Sequence, residues 1–376
     1  MRILYVVESA ATGVGRHVID LAVAMRLRGH EVTLIYSPIR LDDRFREGVR
    51  RLRELGADLR ELPMQVAPTW ADRAVIAEVR RVLRAGSYSI AHGHSAKGGA
   101  VARLAARGTG VPSVYTPHAY ITLSEHVSAR KRALFAAIER YLARHSAATV
   151  NVSEAERRHA IGLGIAPDRL HVIYNGVEPP VPGDRCGVRQ SLGFRDEDLV
   201  VGFVGRLSAQ KNPLLALEAL AIARSDAPNL RLLFVGTGDL AADCRARAEH
   251  EDLKGSVVFA GETTATPFFP AMDAFLLSSD YEGFPYVLLE AGSYGLPMVC
   301  TAMDCAREYF GQGFEESLVP HRNAESMAEA LVRLAKDDAF RHVLRNRVQQ
   351  RSAGFTIDAM ADETEALYRR LAPKAG

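Results

Sequence analysis

Short apolar, β-branched runs alternate with helix-period stretches twice along this chain, and a single Pro- and Gly-rich break separates the two series. That alternation constrains the fold more than any other feature. Parallel strands need long crossover connections, most simply helices, so the pattern implies parallel sheets wrapped by helices. The first series holds strand patterns at Arg2–Ser9, Glu31–Ser37, Asp58–Leu62, Ser89–Ser95, Pro112–His118 and Ala148–Ser153. Helical patterns cover Gly15–Gly29 and Arg44–Leu55. The break is "NGVEPPVPGDR", Asn175–Arg185. The second series holds Leu199–Gly205, Leu230–Gly236, Ser256–Gly261, Ala274–Ser279 and Met298–Ala302, and a helical pattern over Asp358–Leu371 closes the chain. The expected class is α/β, with two tandem Rossmann-like, doubly wound parallel-sheet domains facing across a cleft. The expected bounds are residues 1–177, a linker at 178–185, and residues 186–357, with a terminal helix at 358–376 packing back on the first domain.

At 376 residues the chain is too long for one ordinary core. No apolar stretch reaches the roughly 18 residues of a membrane span, and Glu8 interrupts the apolar start before it resembles a leader. The cysteines Cys186, Cys244, Cys300 and Cys305 show no C-x-x-C spacing and no disulfide framework, which fits free thiols in the cytoplasm. A net charge of +2 conceals a division. Residues 1–180 carry 26 Lys and Arg against 17 Asp and Glu, while the remainder carries 21 against 28. The basic half suits an anionic partner. Its cations are not interleaved with stacking aromatics, so nucleic acid is not that partner.

Three stretches carry chemistry. Gly13 and Gly15 in "ATGVGRHV" allow a tight turn before a helix N-terminus, which can face an anion; a third glycine of the dinucleotide fingerprint would fall at Val18 and is absent. In "GFVGRLSAQKNP", Arg206 and Lys211 follow a strand that ends at Gly205, and two cations there can clamp a diphosphate. In "SSDYEGFPYVLLEAGSYGLP", Glu282 lies in a loop and Glu290 in the second turn of a helix that starts near Pro285. Both can reach one ligand across that N-terminus, Glu282 at a sugar and Glu290 at a ribose. The plainer alternatives are solvated surface cations, a dipole partner and an exposed helix residue. The one Asp-x-Asp match, Asp196–Asp198, precedes a strand and reads as a solvated acidic turn at the wrong end of the sheet for a metal site.

Together "TGVGRHV", "TPHAY", "VSEAERR", "VIYNGVE", "GRLSAQKNP", "FVGTGDL", "YEGFPYVLLEA" and "FTIDAMADETEALYRRL" follow an order that resembles glycosyltransferase family 4, retaining enzymes with the GT-B fold. The resemblance implies transfer of a sugar from a nucleotide diphosphate donor, UDP first and GDP next, without a metal or other cofactor. It implies that Arg206 and Lys211 neutralise the leaving diphosphate, that Glu290 holds the ribose, and that Glu282 grips the sugar with Gly283, Phe284 and Pro285. It further places Gly261 and Glu262 at the base, Leu289 among the donor contacts, Gly15 over the phosphate and His118 near the reacting sugar. The chain departs from the family at Thr301–Phe310, where a Gly-Gly pair is common, and at Val14–Gly15. The implied acceptor is a glycan or polyprenyl-linked saccharide of polysaccharide or lipopolysaccharide synthesis. Two readings stay open for Ser128–Ala148, where Arg130, Lys131, Arg132, Arg140 and Arg144 flank Leu134, Phe135, Ile138 and Leu142: a helix resting on an anionic membrane, or a packed helix with a basic rim. A GDP-mannose-dependent mannosyltransferase, a nucleotide-sugar epimerase, a phosphorylase and a non-catalytic two-domain ligand-binding protein are the competing functions.

Overall fold

A computed structural model describes residues 1–123 and 127–373; the last three residues of the expected terminal helix, 374–376, lie outside the described residues. The chain divides into two compact units, Met1–Gly176 with Phe355–Gly376, and Val177–Gly354.

The first unit is built on seven parallel strands: β1 (Arg2–Val7), β2 (Glu31–Tyr36), β3 (Asp58–Glu61), β4 (Ile90–His94), β5 (Ser113–Thr116), β6 (Ala148–Asn151) and β7 (Leu170–Val172). Their order is β3-β2-β1-β4-β5-β6-β7, so the direction of winding reverses between β1 and β4. Tyr5 pairs with Leu34 on one side and His92 on the other. Both faces are covered, which is why β1 is a continuous apolar run rather than an alternating one. Helix Thr12–Leu27 buries Val18, Leu21, Ala22 and Met25 on one face. Met360, Ala361, Leu367 and Tyr368 of helix Ile357–Leu371 join the same core. Thr356 caps that last helix, its hydroxyl accepting from the Ala359 N–H at 3.1 Å. Helices Asp72–Ala85 and Ser95–Ala106 cover the opposite face.

The second unit has six parallel strands: β8 (Leu199–Val204), β9 (Leu230–Val235), β10 (Val257–Gly261), β11 (Ala274–Leu277), β12 (Met298–Thr301) and β13 (Leu318–Val319). Their order, β10-β9-β8-β11-β12-β13, reverses between β8 and β11. The acidic turn before β8 differs from its expected solvated state. Asp196 and Glu197 are exposed, but Asp198 is buried, ion-paired to Arg231 at 3.0 Å and accepting from the Arg195 N–H at 2.8 Å. It is a structural anchor at the N-terminal end of the sheet.

Candidate active site

In an open parallel sheet, ligands bind at the carboxyl ends of the strands where the winding reverses. In the second unit that point lies between β8 and β11, and the two charged groups singled out from sequence follow those two strands. Lys211 Nζ lies 2.6 Å from Glu282 Oε1, an ion pair with side chains only 17% and 10% exposed. Glu282 Oε1 is buried, and among the described residues the Lys211 ammonium is the group that offsets its charge.

Backbone stitching sets this geometry. The Asp280 N–H donates to Gln210 O at 2.8 Å, and Gln210 Nε2 donates to Tyr281 O at 2.9 Å. Ser278 Oγ donates to the carbonyls of Lys211 and Asn212, at 3.0 and 2.8 Å. Thr301 Oγ1, at the end of β12, holds Ser279 O at 2.5 Å. The chain then turns through Asn212 in the left-handed region (φ +48°) into helix Pro213–Ala223. Gly236 (φ +135°) is obligatory beside this loop, because a Cβ there would stand 2.1 Å from the Gly205 carbonyl oxygen.

Arg206 is exposed at the same edge and has no ion pair among the described residues. Pro285 precedes helix Tyr286–Ser293, and Glu290 sits partly exposed in its second turn. Gly283 is partly exposed, while Phe284 and Pro285 are buried. Leu289 is fully buried, so its side chain belongs to the core and only its backbone is left for a donor. Gly261, at φ +79°, ends β10, and the exposed Glu262 follows it. Where the chain departs from the Gly-Gly pair common in the family, Asp304–Phe310 is a short helix. It buries Cys305, a neighbour that sequence reasoning passed over: its thiol is pushed well up by burial and by the charges of Glu282 and Glu308.

In the first unit the reversal point, between β1 and β4, gathers histidines. His17 lies in the helix after β1, His94 ends β4 and His118 follows β5. His94 Nδ1 is 3.1 Å from His118 Nε2, and His17 Nδ1 is 3.0 Å from Asn175 Oδ1. The His17 and His118 rings meet edge to face at 4.6 Å. Beneath them His92 bonds Tyr368 at 2.5 Å and Thr116 at 2.8 Å. Burial holds all four below the ordinary imidazole range, His17 at about 4. Only His118 had been singled out from sequence, although the i, i+2 spacing of His92 and His94 at a strand end was a visible signal. His118 (φ +56°) and Ala119 (φ +83°) are both left-handed, a conformation costly for side-chain-bearing residues. Glu156 holds them there, accepting from the Ala119 N–H at 2.6 Å and the Val152 N–H at 2.8 Å. Gly15 is not in a turn as expected but in the first turn of helix Thr12–Leu27. A Cβ on it would lie 2.8 Å from the Ala10 carbonyl carbon.

Residues 12–176 match the glycosyl transferase 4-like domain and residues 185–351 match glycosyl transferases group 1. The UDP-Gal:alpha-D-GlcNAc-diphosphoundecaprenol alpha-1,3-galactosyltransferase of Escherichia coli is 29% identical, over 79% of each chain. The D-inositol 3-phosphate glycosyltransferase of Stackebrandtia nassauensis is 30% identical over 75% of this chain and 68% of its own. Among solved structures, Anabaena HepE in complex with UDP and glucose superposes with a TM-score of 0.83 at 22% identity, covering 98% of this chain and all of that one. The chain belongs to glycosyltransferase family 4, with two α/β units of the GT-B type, and it is a glycosyltransferase.

Proposed function

We propose that the protein transfers a sugar with retention from a UDP-sugar to a lipid-linked saccharide, without a metal. The observation that carries this reading is the Lys211–Glu282 pair beside the exposed Arg206, at the carboxyl edge of the second unit's sheet. A departing diphosphate needs its growing charge stabilised. Lys211 exchanges its carboxylate partner for the phosphates, Arg206 adds a second charged donor, and the N–H groups opening helix Tyr286–Ser293 add partial positive charge. Released from Lys211, Glu282 accepts from a hydroxyl of the sugar, and Glu290 accepts from the ribose. Backbone at Gly261, Glu262 and Gly283–Pro285 surrounds the base and sugar. In the first unit, neutral His118 is a hydrogen-bonding group for a saccharide hydroxyl that adds no charge.

In the chemical step the anomeric C–O bond to phosphate breaks with its electron pair leaving on the diphosphate. The acceptor oxygen bonds the same face of the oxocarbenium-like carbon, and its proton passes to a departing phosphate oxygen. Trapping a sugar–enzyme ester on a carboxylate would overturn this route. The uridine preference is supported by the UDP-Gal donor in the E. coli relative's name and by the UDP complex of HepE, and the acceptor class by the diphosphoundecaprenol in the same name.

The working place is the face of an anionic membrane. No helix among the described residues is long and apolar enough to cross one. Helix Ala129–Ala143 instead leaves Leu134, Ile138 and Tyr141 exposed at helical spacing, with Arg130, Lys131, Arg132, Arg140 and Arg144 exposed around them.

Incubation with a panel of nucleotide sugars in EDTA, reading nucleotide diphosphate release, tests the whole reading. Turnover of a UDP-sugar supports it. Turnover that requires added Mg²⁺ or Mn²⁺, or that occurs only with another base, refutes the corresponding part.

A further inference from the structure

We infer that His94 is a positioning residue: its Nδ1–H donates to His118 Nε2, which puts the proton of the His118 ring on Nδ1 and fixes that ring as a hydrogen-bond donor to saccharide. Two neutral imidazoles meeting through Nδ1 and Nε2 at 3.1 Å hold one proton between them, and in each ring the second nitrogen then takes the opposite role. Burial keeps both rings below the ordinary imidazole range, so neither takes up a second proton near neutral pH. Only the direction of the shared bond is left to decide.

The far nitrogens decide it. If His118 donated, His94 Nε2 would carry a hydrogen, and that nitrogen is enclosed with no hydrogen-bond partner among the described residues. The adjacent His92 ring, 4.0 Å away between centroids, cannot accept that hydrogen, because both its nitrogens are engaged, with Tyr368 and Thr116. An orphaned buried N–H is rarer than an under-satisfied acceptor. With His94 donating, the group left unmatched in the interior is only a lone pair. At the other end His118 is half-buried, and its Nδ1 is neither enclosed nor hydrogen-bonded among the described residues. A donor there can be met by water or by a ligand. Glu156 fixes where the ring starts, since its carboxylate accepts from the Ala119 N–H at 2.6 Å and holds the left-handed turn through His118. Resting on the reading above, His118 Nδ1–H donates to the oxygen of a saccharide hydroxyl. It offers no lone pair at Nδ1 to take that hydroxyl's proton, so His118 is not the base of the reaction.

Imidazole nitrogen NMR of the full chain reads the tautomer of each histidine directly. His94 and His118 should both carry hydrogen on Nδ1 and a bare Nε2. His94→Leu fills the space without a donor, so the His118 proton should redistribute onto Nε2 and kcat/KM should fall about 2- to 10-fold. In His94→Asn the carboxamide N–H stands near the place of the imidazole Nδ1–H, and both the tautomer and most of the activity should return. A merely space-filling role would favour Leu over Asn instead. In a His118→Ala background, His94→Leu should cost no further activity. Hydrogen on His118 Nε2 in the parent, or an unchanged His118 tautomer in His94→Leu, overturns the assignment, and the parent spectrum decides even where a variant does not fold. An Nδ1–H tautomer with full transfer by His118→Ala keeps the assignment and overturns the donor role. Absence of transfer from every nucleotide sugar overturns the functional reading, while the tautomer measurement still decides the role of His94.

Discussion

Replacing Lys211 with Met keeps the apolar stem and removes the ammonium. In the resting protein that strips Glu282, only 10% exposed, of the cation 2.6 Å away. A carboxylate so stranded costs about 1–3 kcal/mol, and residual solvent access favours the lower half of that range. For a domain of this size the melting temperature should fall by roughly 2–8 °C. Donor binding should weaken about 10- to 100-fold, as for loss of one charged hydrogen bond, and turnover should fall about 100- to 1000-fold, as for loss of one preorganised donor to a developing anion.

Glu282→Gln separates these effects. It removes the resting partner of Lys211 without touching the phosphates, so UDP should bind as well as before or better, while sugar transfer declines. In the double variant Lys211→Met/Glu282→Gln the stranded charge is gone and the melting temperature should recover, but UDP affinity should not. Calorimetry with UDP and thermal melts on the four proteins complete the cycle. The reasoning is refuted if Lys211→Met binds UDP as tightly as the parent, or if the double variant regains turnover to within about tenfold, since that would leave Lys211 a stabilising role worth less than about 1.4 kcal/mol in the transition state.

Gly15→Ala should destabilise the first unit by about 1–3 kcal/mol, because its methyl meets the Ala10 backbone and not a movable side chain; denaturant melts measure it. Glu156→Ala should lower kcat by releasing the left-handed Ala119 turn, and Ala119→Gly, which removes the strain at φ +83°, should restore part of the lost stability. Leu134→Asp with Ile138→Asp should abolish sedimentation with anionic vesicles at low salt while turnover of a soluble acceptor is kept. Acidification should selectively loosen the first unit. The folded value of His17 is about 4 against an ordinary 6.5, so the unfolded chain binds the extra proton between those values. Its contribution is complete above about pH 6.5 and is lost as pH falls toward 4, about 3 kcal/mol in all. The decline in melting temperature from pH 7 to 4.5 should be shallower in His17→Gln.

The long strands were readable because fully covered parallel strands must be apolar on both faces, as in Leu199–Val204 and Leu230–Val235. The edge strands Leu170–Val172 and Leu318–Val319 are three and two residues long, too short to show any period, and neither was recognised. Helix Ala129–Ala143, for which a membrane-resting and a packed reading both stood open, shows a different limit of spacing. Leu134, Phe135, Ile138 and Leu142 were assigned to one face by spacing, but only Leu142 of that set is buried, while Leu134 and Ile138 are exposed. A charged residue turned the helix. Glu139 points inward to Arg103 Nη1 at 3.0 Å and receives the Tyr115 hydroxyl at 3.1 Å, with the guanidinium lying over the Tyr115 ring. Hydrophobic spacing cannot anticipate a buried ion pair whose partners lie on separate elements.

The candidate site was legible to the extent that topology, and not side-chain contact, determines it. Lys211 and Glu282 are far apart in sequence, yet they follow β8 and β11, the two strands that flank the reversal of the second sheet. His17 and His94 stand in the same relation to β1 and β4. Once two βα series are recognised, polar residues just past the first and fourth strand of each series are forced toward one edge. What topology leaves open is which of them touch. That was settled by residues that lay inside quoted motifs but had been given no role: Gln210 and Ser278 tying one loop to another, Glu156 clamping the His118 turn, Asn175 fixing a ring. Such residues act through one or two hydrogen bonds to backbone groups or a ring nitrogen, and any of several side chains could have supplied each one. One sequence shows where they stand but not which backbone or ring atom each will reach, although those bonds fix the distances on which the chemistry depends.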